Sequence, residues 1–214
     1  SLLETEAREI LEIHGLPVCE ATLADSLEDL FECCQRYDFP LAMKIVSPDI
    51  LHKSDIGGVK LNLRNEGEAF AAYKEILEAA KRETSADRIV GVLVAPMVAS
   101  GPECIVGMLR DPFFGPVLMF GMGGVLVEAM KDISFRVFPL FERDIVELIQ
   151  APLGYKLLKG YRGKPPSDTA ALEKIVEQVA LLAHMHLDIM EIDLNPTVAL
   201  ADGASILDAR IIIR

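Results

Sequence analysis

Apolar residues recur at helical spacing in the opening segment, where Leu3, Ala7, Ile10, Leu11 and His14 precede Gly15 and Pro17, a pattern that predicts a helix with a glycine stop. A second helix follows: Ser26 with Asp29 reads as a capping box, and Leu27, Leu30, Phe31 and Cys34 fall on one apolar face, which makes Cys34 core rather than chemistry. Leu41 to Val46 reads as a buried strand. Val59, Leu61 and Leu63 alternate with Lys60, Asn62 and Arg64, the period of a half-exposed strand, and the two runs predict a hairpin. Glu66 to Lys81 is helical, with Ala69, Phe70, Tyr73, Ile76, Leu77 and Ala80 inward, and Arg88 to Met97 returns as a strand.

Beyond Pro96 the pattern turns strand-rich. Strands are expected over Glu103–Leu109, Pro116–Met122, Val125–Met130 and Ser134–Phe138, then a long helix from about Asp168 to Leu187 and two closing strands. Strands and helices do not alternate regularly and no fixed period repeats, so the class is α+β and a doubly wound sheet is excluded.

The chain has 214 residues, 51% of them hydrophobic, enough to bury the core of one large domain or two lobes. A formal net charge of -12 argues against general nucleic-acid or membrane-surface binding, since both are polyanions. A phosphate ligand would need a local basic patch. No apolar run reaches the length of a membrane-spanning helix, and the four cysteines show neither C-x-x-C spacing nor a leader that would mark secretion; a reducing cytoplasm is expected. Because the first residue is serine rather than methionine, we expect the natural polypeptide to be longer.

Several residues suggest chemistry. Lys44 interrupts the apolar run Leu41–Val46, and burying its ammonium without an anion would be costly unless the side chain reaches water or a structural carboxylate. The loop after it is polar, carries His52 and Lys53, and ends in Gly57–Gly58, whose lack of side chains would let backbone amides approach a phosphate; an ordinary hairpin loop would look similar, and the GK[ST] ending of a Walker loop is missing. Of the other histidines, His184 and His186 lie two apart on the long helix and cannot chelate together, so they read as structural, and His14 reads as a helix cap or surface group.

At the C-terminus, a two-residue turn at Asp202–Gly203 would set Thr197 opposite Asp208 and Asn195 opposite Arg210. Asp193, Asn195, Thr197, Asp208 and Arg210 would then share one polar face. Asn195 and Asp208 would be diagonal neighbours, roughly 7 to 8 Å apart at Cα, a span a magnesium ion could bridge while Arg210 meets a phosphate oxygen. A solvated sheet face with a surface Asp–Arg pair is the bland alternative.

Longer blocks carry a resemblance. Lys44-Ile-Val-Ser-Pro-Asp-Ile-Leu-His52-Lys-Ser-Asp-Ile-Gly57-Gly58-Val59, Glu103-Cys-Ile-Val-Gly107-Met-Leu-Arg-Asp111-Pro-Phe-Phe-Gly115-Pro, Phe120-Gly-Met-Gly-Gly124-Val-Leu-Val-Glu128, Gly160-Tyr-Arg-Gly-Lys-Pro-Pro-Ser-Asp168, Glu191-Ile-Asp193-Leu-Asn195-Pro196 and Leu207-Asp208-Ala-Arg210 resemble the ATP-grasp subunit of ADP-forming acetyl-CoA synthetases. The β subunit of succinyl-CoA synthetase is a more distant relative. The resemblance implies an ATP-grasp fold of two lobes with the nucleotide between them, 1–94 bearing the glycine-rich flap and 95–214 the magnesium-binding hairpin. It implies that Lys44, Gly57 and Gly58 bind phosphate, that the backbone of Val94, Ala95, Pro96 and Met97 meets adenine, and that Glu103 lies in the nucleotide cleft. Asn195 and Asp208 match magnesium ligands, Asp193 an acidic position near an incoming phosphohistidine, and His52 a second phosphoryl carrier.

The implied cofactors are ATP or ADP with Mg2+, and the implied partner is a CoA-binding alpha subunit or fused domain that carries a phosphohistidine loop, giving a hetero-oligomer. The chain holds no G-x-G-x-x-G unit for CoA, so it is not expected to complete acyl-CoA synthesis by itself. Two other readings remain open on the sequence: a single-chain ATP-grasp carboxylate ligase working through an acyl phosphate, and a non-catalytic nucleotide-binding subunit.

Overall fold

The computed structural model describes residues 1–50, 52–124, 131–161, 163 and 165–214. In chain order the elements are α1 (Glu4–Ile13), β1 (Thr22–Ala24), α2 (Leu27–Arg36), β2 (Leu41–Val46), β3 (Val59–Leu63), α3 (Glu66–Glu83), a 3-10 turn (Ala86–Arg88), β4 (Gly91–Pro96), β5 (Glu103–Asp111), β6 (Gly115–Met122), β7 (Ile133–Val137), α4 (Glu142–Gln150), α5 (Tyr155–Leu158), α6 (Thr169–Met185), β8 (Ile189–Ala199), β9 (Ala204–Ile206) and β10 (Ala209–Ile213). The strand expected over Val125–Met130, with the Glu128 end of its block, lies outside the described residues, as do Leu51, Arg162 and Lys164.

The chain forms two compact units, Cys19–Val98 and a larger one that joins Ser1–Val18 to Ala99–Arg214. This differs from the expected division at 94/95 on two counts. β4 runs unbroken through Pro96, and the opening helix packs on the C-terminal sheet, where Leu2 N–H donates to Ile211 O at 2.9 Å and Ala7 and Leu11 enter the core of the larger unit.

In the smaller unit four antiparallel strands, in the order β1-β4-β2-β3, carry α2 and α3 on one face. The Ser26–Asp29 capping box forms as expected: Ser26 Oγ accepts Asp29 N–H at 3.1 Å, and Asp29 Oδ2 accepts Ser26 N–H at 3.2 Å. The buried stripe of α2 is Leu30, Cys33 and Cys34, whereas Leu27 and Phe31 are 44% and 49% exposed, so the helix is rotated from the expected face. The alternation expected in β3 also fails. A register shift against β2 falls between Leu41↔Leu63 and Met43↔Lys60, and Asn62 adopts φ 59. The extra residue puts Lys60 on the helix side, paired with Glu75 Oε2 at 2.6 Å, and leaves Leu61 exposed.

In the larger unit the antiparallel order is β10-β8-β5-β6-β7, with β9 paired to β8, and α1, α4 and α6 supply the other half of a core centred on Phe120, Met108, Leu148 and Val176. Helix α4 was not foreseen from the sequence, although Ile145, Leu148 and Ile149 are its buried stripe and Asp144 Oδ2 accepts Phe141 N–H at 2.9 Å at its start. Asp168 caps α6 by accepting Ala171 N–H at 3.0 Å, and its other oxygen accepts Gly203 N–H at 3.0 Å from the β8–β9 turn. At the far end of α6 Arg110 reaches across from β5: its Nε donates to Ile189 O at 2.8 Å, and Nη2 to Ala183 O at 2.5 Å and His186 O at 3.1 Å. Ala183 and His186 belong to the last turn and cap of α6, where carbonyls lack donors from the helix itself and a guanidinium complements the negative pole, and Ile189 opens β8. Among the described residues no helix is long and apolar enough to cross a membrane.

Arg110→Met should therefore lower the unfolding free energy by about 2–3 kcal/mol, because part-buried carbonyls lose charged donors. Arg110→Lys, with one ammonium for a three-carbonyl fork, should restore less than half of that in urea titrations.

Candidate functional site

Lys44 sits in the middle of β2, opposite Val59 on one side and Leu93 on the other. Its neighbours Met43 and Ile45 point into the helix-covered core, so the two-residue period turns Lys44 to the opposite face of the sheet. The loop that follows is a folded turn: Asp55 N–H donates to His52 O at 3.3 Å, Gly57 N–H to Ser54 O at 3.1 Å and Gly58 N–H to Lys53 O at 2.8 Å. The two glycines are required for different reasons. Gly57 has φ 75 with open space around it, while a Cβ on Gly58 would lie 2.7 Å from Ile45 Cγ2 and 2.9 Å from Lys53 O. Both glycine amides are thus engaged inside the loop in this conformation. His52 is solvent-exposed on the same loop.

The Val94–Met97 stretch is mostly committed to its own sheet. Val94 stands between Thr22 and Met43, Ala95 opposite Ala42, and Met97 N–H donates to Pro40 O at 3.0 Å. Because hydrogen-bonding direction alternates along an antiparallel strand, the Pro96 carbonyl points away from β2, past the last β1 rung at Thr22↔Val94. That carbonyl is the backbone group of the four most available to a ligand.

In the larger unit Glu103 opens β5, exposed, opposite Val198. The β6 end presses against it: Gly123 N–H donates to Glu103 O at 2.6 Å, and a Cβ on Gly123 would lie 2.8 Å from Glu103 Cβ. The glycines of the Phe120–Gly124 block thereby let the chain pass close under the acidic side chain.

The closing ribbon keeps the expected set of polar residues but in a different register. The turn holds Leu200 to Gly203, with Leu200 N–H donating to Gly203 O at 3.0 Å, so Ala199 pairs with Ala204 and Arg210 pairs with Asp193 instead of Asn195. A shift of two preserves parity. Asn195 accordingly comes directly opposite Asp208, its N–H donating to Asp208 O at 3.2 Å, rather than diagonal to it. Thr197 leaves the polar face. β8 gains one residue on β5 between the Cys104↔Thr197 and Val106↔Leu194 rungs, which turns Thr197 inward, fully buried with Oγ1 donating to Leu194 O at 3.1 Å.

Leu194 and Ala209 form the core-facing rung between these polar pairs, so Asp193, Asn195, Asp208 and Arg210 lie on the open face. Burial pushes the Asp193 carboxyl up, Glu191 and Asp208 push the same way, and Arg210 opposes them. Arg210 Nε is buried with no hydrogen-bond partner among the described residues, an unmet donor in an otherwise paired ribbon. Glu191 belongs to this electrostatic cluster and was passed over in the sequence, though it shares the parity of Asp193 two residues on. For a hard divalent cation the donor set is suitable: an amide oxygen from Asn195 and a carboxylate from Asp208, with the remaining positions left to phosphate and water. Among the described residues no group of three or more His, Cys, Asp or Glu forms a denser cage.

Lys44, His52, Gly57, Gly58 and Val94–Met97 are thus grouped in the smaller unit, and Glu103, Asp193, Asn195, Asp208 and Arg210 in the larger. Comparison with known proteins covers both units. The family model described as an ATP-grasp domain matches residues 1–213. The chain is 44% identical to the acetate–CoA ligase [ADP-forming] I subunit beta of Pyrococcus furiosus, over 99% of this chain and 91% of that protein. It is 40% identical to the 4-hydroxybutyrate–CoA ligase [ADP-forming] of Nitrosopumilus maritimus, over 99% of this chain but 30% of that protein. Among solved structures, the dinucleotide forming acetyl-coenzyme A synthetase 1 of Ca. Korarchaeum cryptofilum, in complex with coenzyme A, Ca-AMPCP and HgCl+, superposes with a TM-score of 0.95 at 45% identity, covering 100% of this chain and 93% of that one. A further structure of the same synthetase holds Mg-AMPPCP with a phosphohistidine segment pointing towards the nucleotide binding site, and matches with a TM-score of 0.86 at 42% identity over the same shares. The chain belongs to the ATP-grasp family, in the branch formed by beta subunits and matching segments of ADP-forming acid–CoA ligases.

Proposed function

We propose that this chain is the nucleotide-binding component of an ADP-forming acyl-CoA synthetase, moving a phosphoryl group between phosphohistidine and ADP or ATP. The observation that carries the reading is the open face of the β8–β10 ribbon, where Asp193 faces Arg210 and Asn195 faces Asp208. A purely structural ribbon gains nothing from a carboxylate held against its own desolvation and a buried guanidinium nitrogen left unmatched. Both make sense beside an anionic ligand.

In the synthetic direction the P–N bond of a partner's phosphohistidine breaks and a P–O bond forms to the terminal phosphate of ADP, directly or through His52 as a second carrier. This chain's part is to place the acceptor and neutralise charge. Lys44 and Arg210 are the cations for phosphate groups, the Pro96 carbonyl is the acceptor offered to the base, and Asp193 orients the incoming imidazole. Asn195 and Asp208 would hold magnesium, which would supply charge neutralisation at the phosphates. The acyl group and CoA belong to a partner, either a separate subunit or a fused domain, consistent with a chain that spans 91% of one relative and 30% of another.

Incubation with labelled ATP and magnesium should put acid-labile phosphate on the protein, and His52→Ala should abolish that label. Complete absence of protein-bound phosphate in the wild type would favour a carboxylate ligase acting through an acyl phosphate. Asp208→Ala should lower acyl-CoA-dependent ATP formation, assayed with the CoA-binding partner, by about 10²–10³-fold, because an electrostatic element of the transition state is removed.

Asp193→Asn should separate stability from activity. With its pKa raised above 3.8, the native carboxyl holds its proton more tightly than the unfolded chain does. Ionising it therefore costs stability as pH rises through the ordinary value, and that cost is fully present once pH passes the raised one. At neutral pH the asparagine variant should melt no lower than wild type, while phosphoryl transfer falls by at least about 10²-fold.

A further inference from the structure

Away from this site, His14 and His186 meet from opposite ends of the chain. Their Nε2 atoms stand 3.3 Å apart although the residues are 172 positions apart in the chain, and the rings lie nearly perpendicular at 82°. His14 is the C-cap of α1 and His186 the C-cap of α6, both partly buried in the larger unit.

The first ring is oriented by its other nitrogen. His14 Nδ1 lies 2.8 Å from Ile10 O. A carbonyl only accepts, so Nδ1 carries the proton and the Nε2 of neutral His14 presents a lone pair. A carbonyl on the far ring nitrogen is what fixes the tautomer of a metal-ligating histidine. The second ring rises from an anchored backbone: His186 N–H donates to Leu182 O at 3.0 Å, and its carbonyl accepts Ile189 N–H at 3.2 Å and Arg110 Nη2 at 3.1 Å. Two imidazole nitrogens at about 2.0–2.1 Å from a tetrahedral zinc ion stand about 3.3 Å apart. The separation here matches that span, and a small rotation of each ring turns both nitrogens towards one ion.

We propose that His14 and His186 form a two-imidazole site for a borderline transition-metal ion of the zinc, nickel or copper class, separate from the oxygen-lined magnesium position. In the metal-free pair His186 Nε2–H donates to His14 Nε2. On loading, the His186 proton moves to Nδ1 through solvent, and both Nε2 lone pairs face the metal. Among the described residues no third His, Cys, Asp or Glu completes the set, so water fills the remaining positions and affinity falls short of that of a closed structural site. The ion would clip the opening helix to the end of α6, and its occupancy would show as stability of the larger unit.

The test uses the full chain, titrated with zinc chloride while thermal unfolding is followed, with magnesium chloride as control. Wild type should gain a saturable rise of several degrees at zinc concentrations about 100-fold above Kd, with one ion bound per chain by calorimetry. His14→Ala and His186→Ala should each abolish it, and magnesium should give none. Copper, added in place of zinc, should show two-nitrogen coupling in its electron paramagnetic resonance spectrum, reduced to one nitrogen or lost in either variant. A zinc response that persists in both variants, or no response in wild type, would overturn the proposal and leave the pair as a hydrogen bond. The copper spectrum keeps the outcome decisive should an alanine variant fold poorly, since wild type alone must show both nitrogens.

Discussion

Each of the two sheets is covered by helices on one face, and the two-residue period of a strand assigns every side chain either to that packed face or to the open one. The chemistry of the molecule depends on this assignment. Lys44 lies on the face away from the helices because Met43 and Ile45 on either side of it are drawn into the core, and so do Asp193 and Arg210 because Leu194 and Ala209 are. Where an extra residue enters a strand the assignment reverses, as at Thr197, which is buried although its sequence position matches the polar set. The register step in β8 thus marks the limit of the functional face.

Much of this was legible in the amino-acid order. Long periodic segments such as α3 and α6, with Asn65 and Asp168 at their caps, announce themselves through many consistent positions. The polar character of the closing ribbon survived an error in its turn, because a slip of two residues leaves parity unchanged. What escaped has physical reasons. The bulge in β3 carries no local signature apart from Asn62, a residue type that tolerates positive φ, so Leu61 and Lys60 were assigned to the wrong faces. The rotation of α2 depends on which side meets α3 and the sheet, which its own amphipathic pattern leaves open between Leu27–Phe31 and Leu30–Cys33. The engagement of the Gly57 and Gly58 amides within their own loop is a matter of closed geometry that composition does not encode.

The glycines and charges of the recognisable blocks also divide by purpose. Arg110 sits in a block that carries the resemblance, yet its Nε and Nη2 donate to carbonyls at the end of α6 and the start of β8. Gly123 makes room for backbone beside Glu103, and Gly101 does the same beside Ala199, whose carbonyl would lie 2.1 Å from an added Cβ. Such positions hold the frame on which the open-face residues are aligned, and the difference is visible only in what each atom touches. Asp193 and Arg210 are distinguished by the opposite property: burial disfavours the charge of the carboxylate, and the guanidinium Nε finds no acceptor among the described residues.

The bond between Leu2 and Ile211 has a bearing on how the molecule is made. Translation delivers α1, with Ala7 and Leu11 ready to be covered, well before the strand that covers them. The stretch from Cys19 to Val98 is continuous and has its own core, so it is able to mature during the wait. The larger unit must close the long loop between Leu2 and Ile211, and until it does, an apolar helical stripe remains open to neighbouring nascent chains.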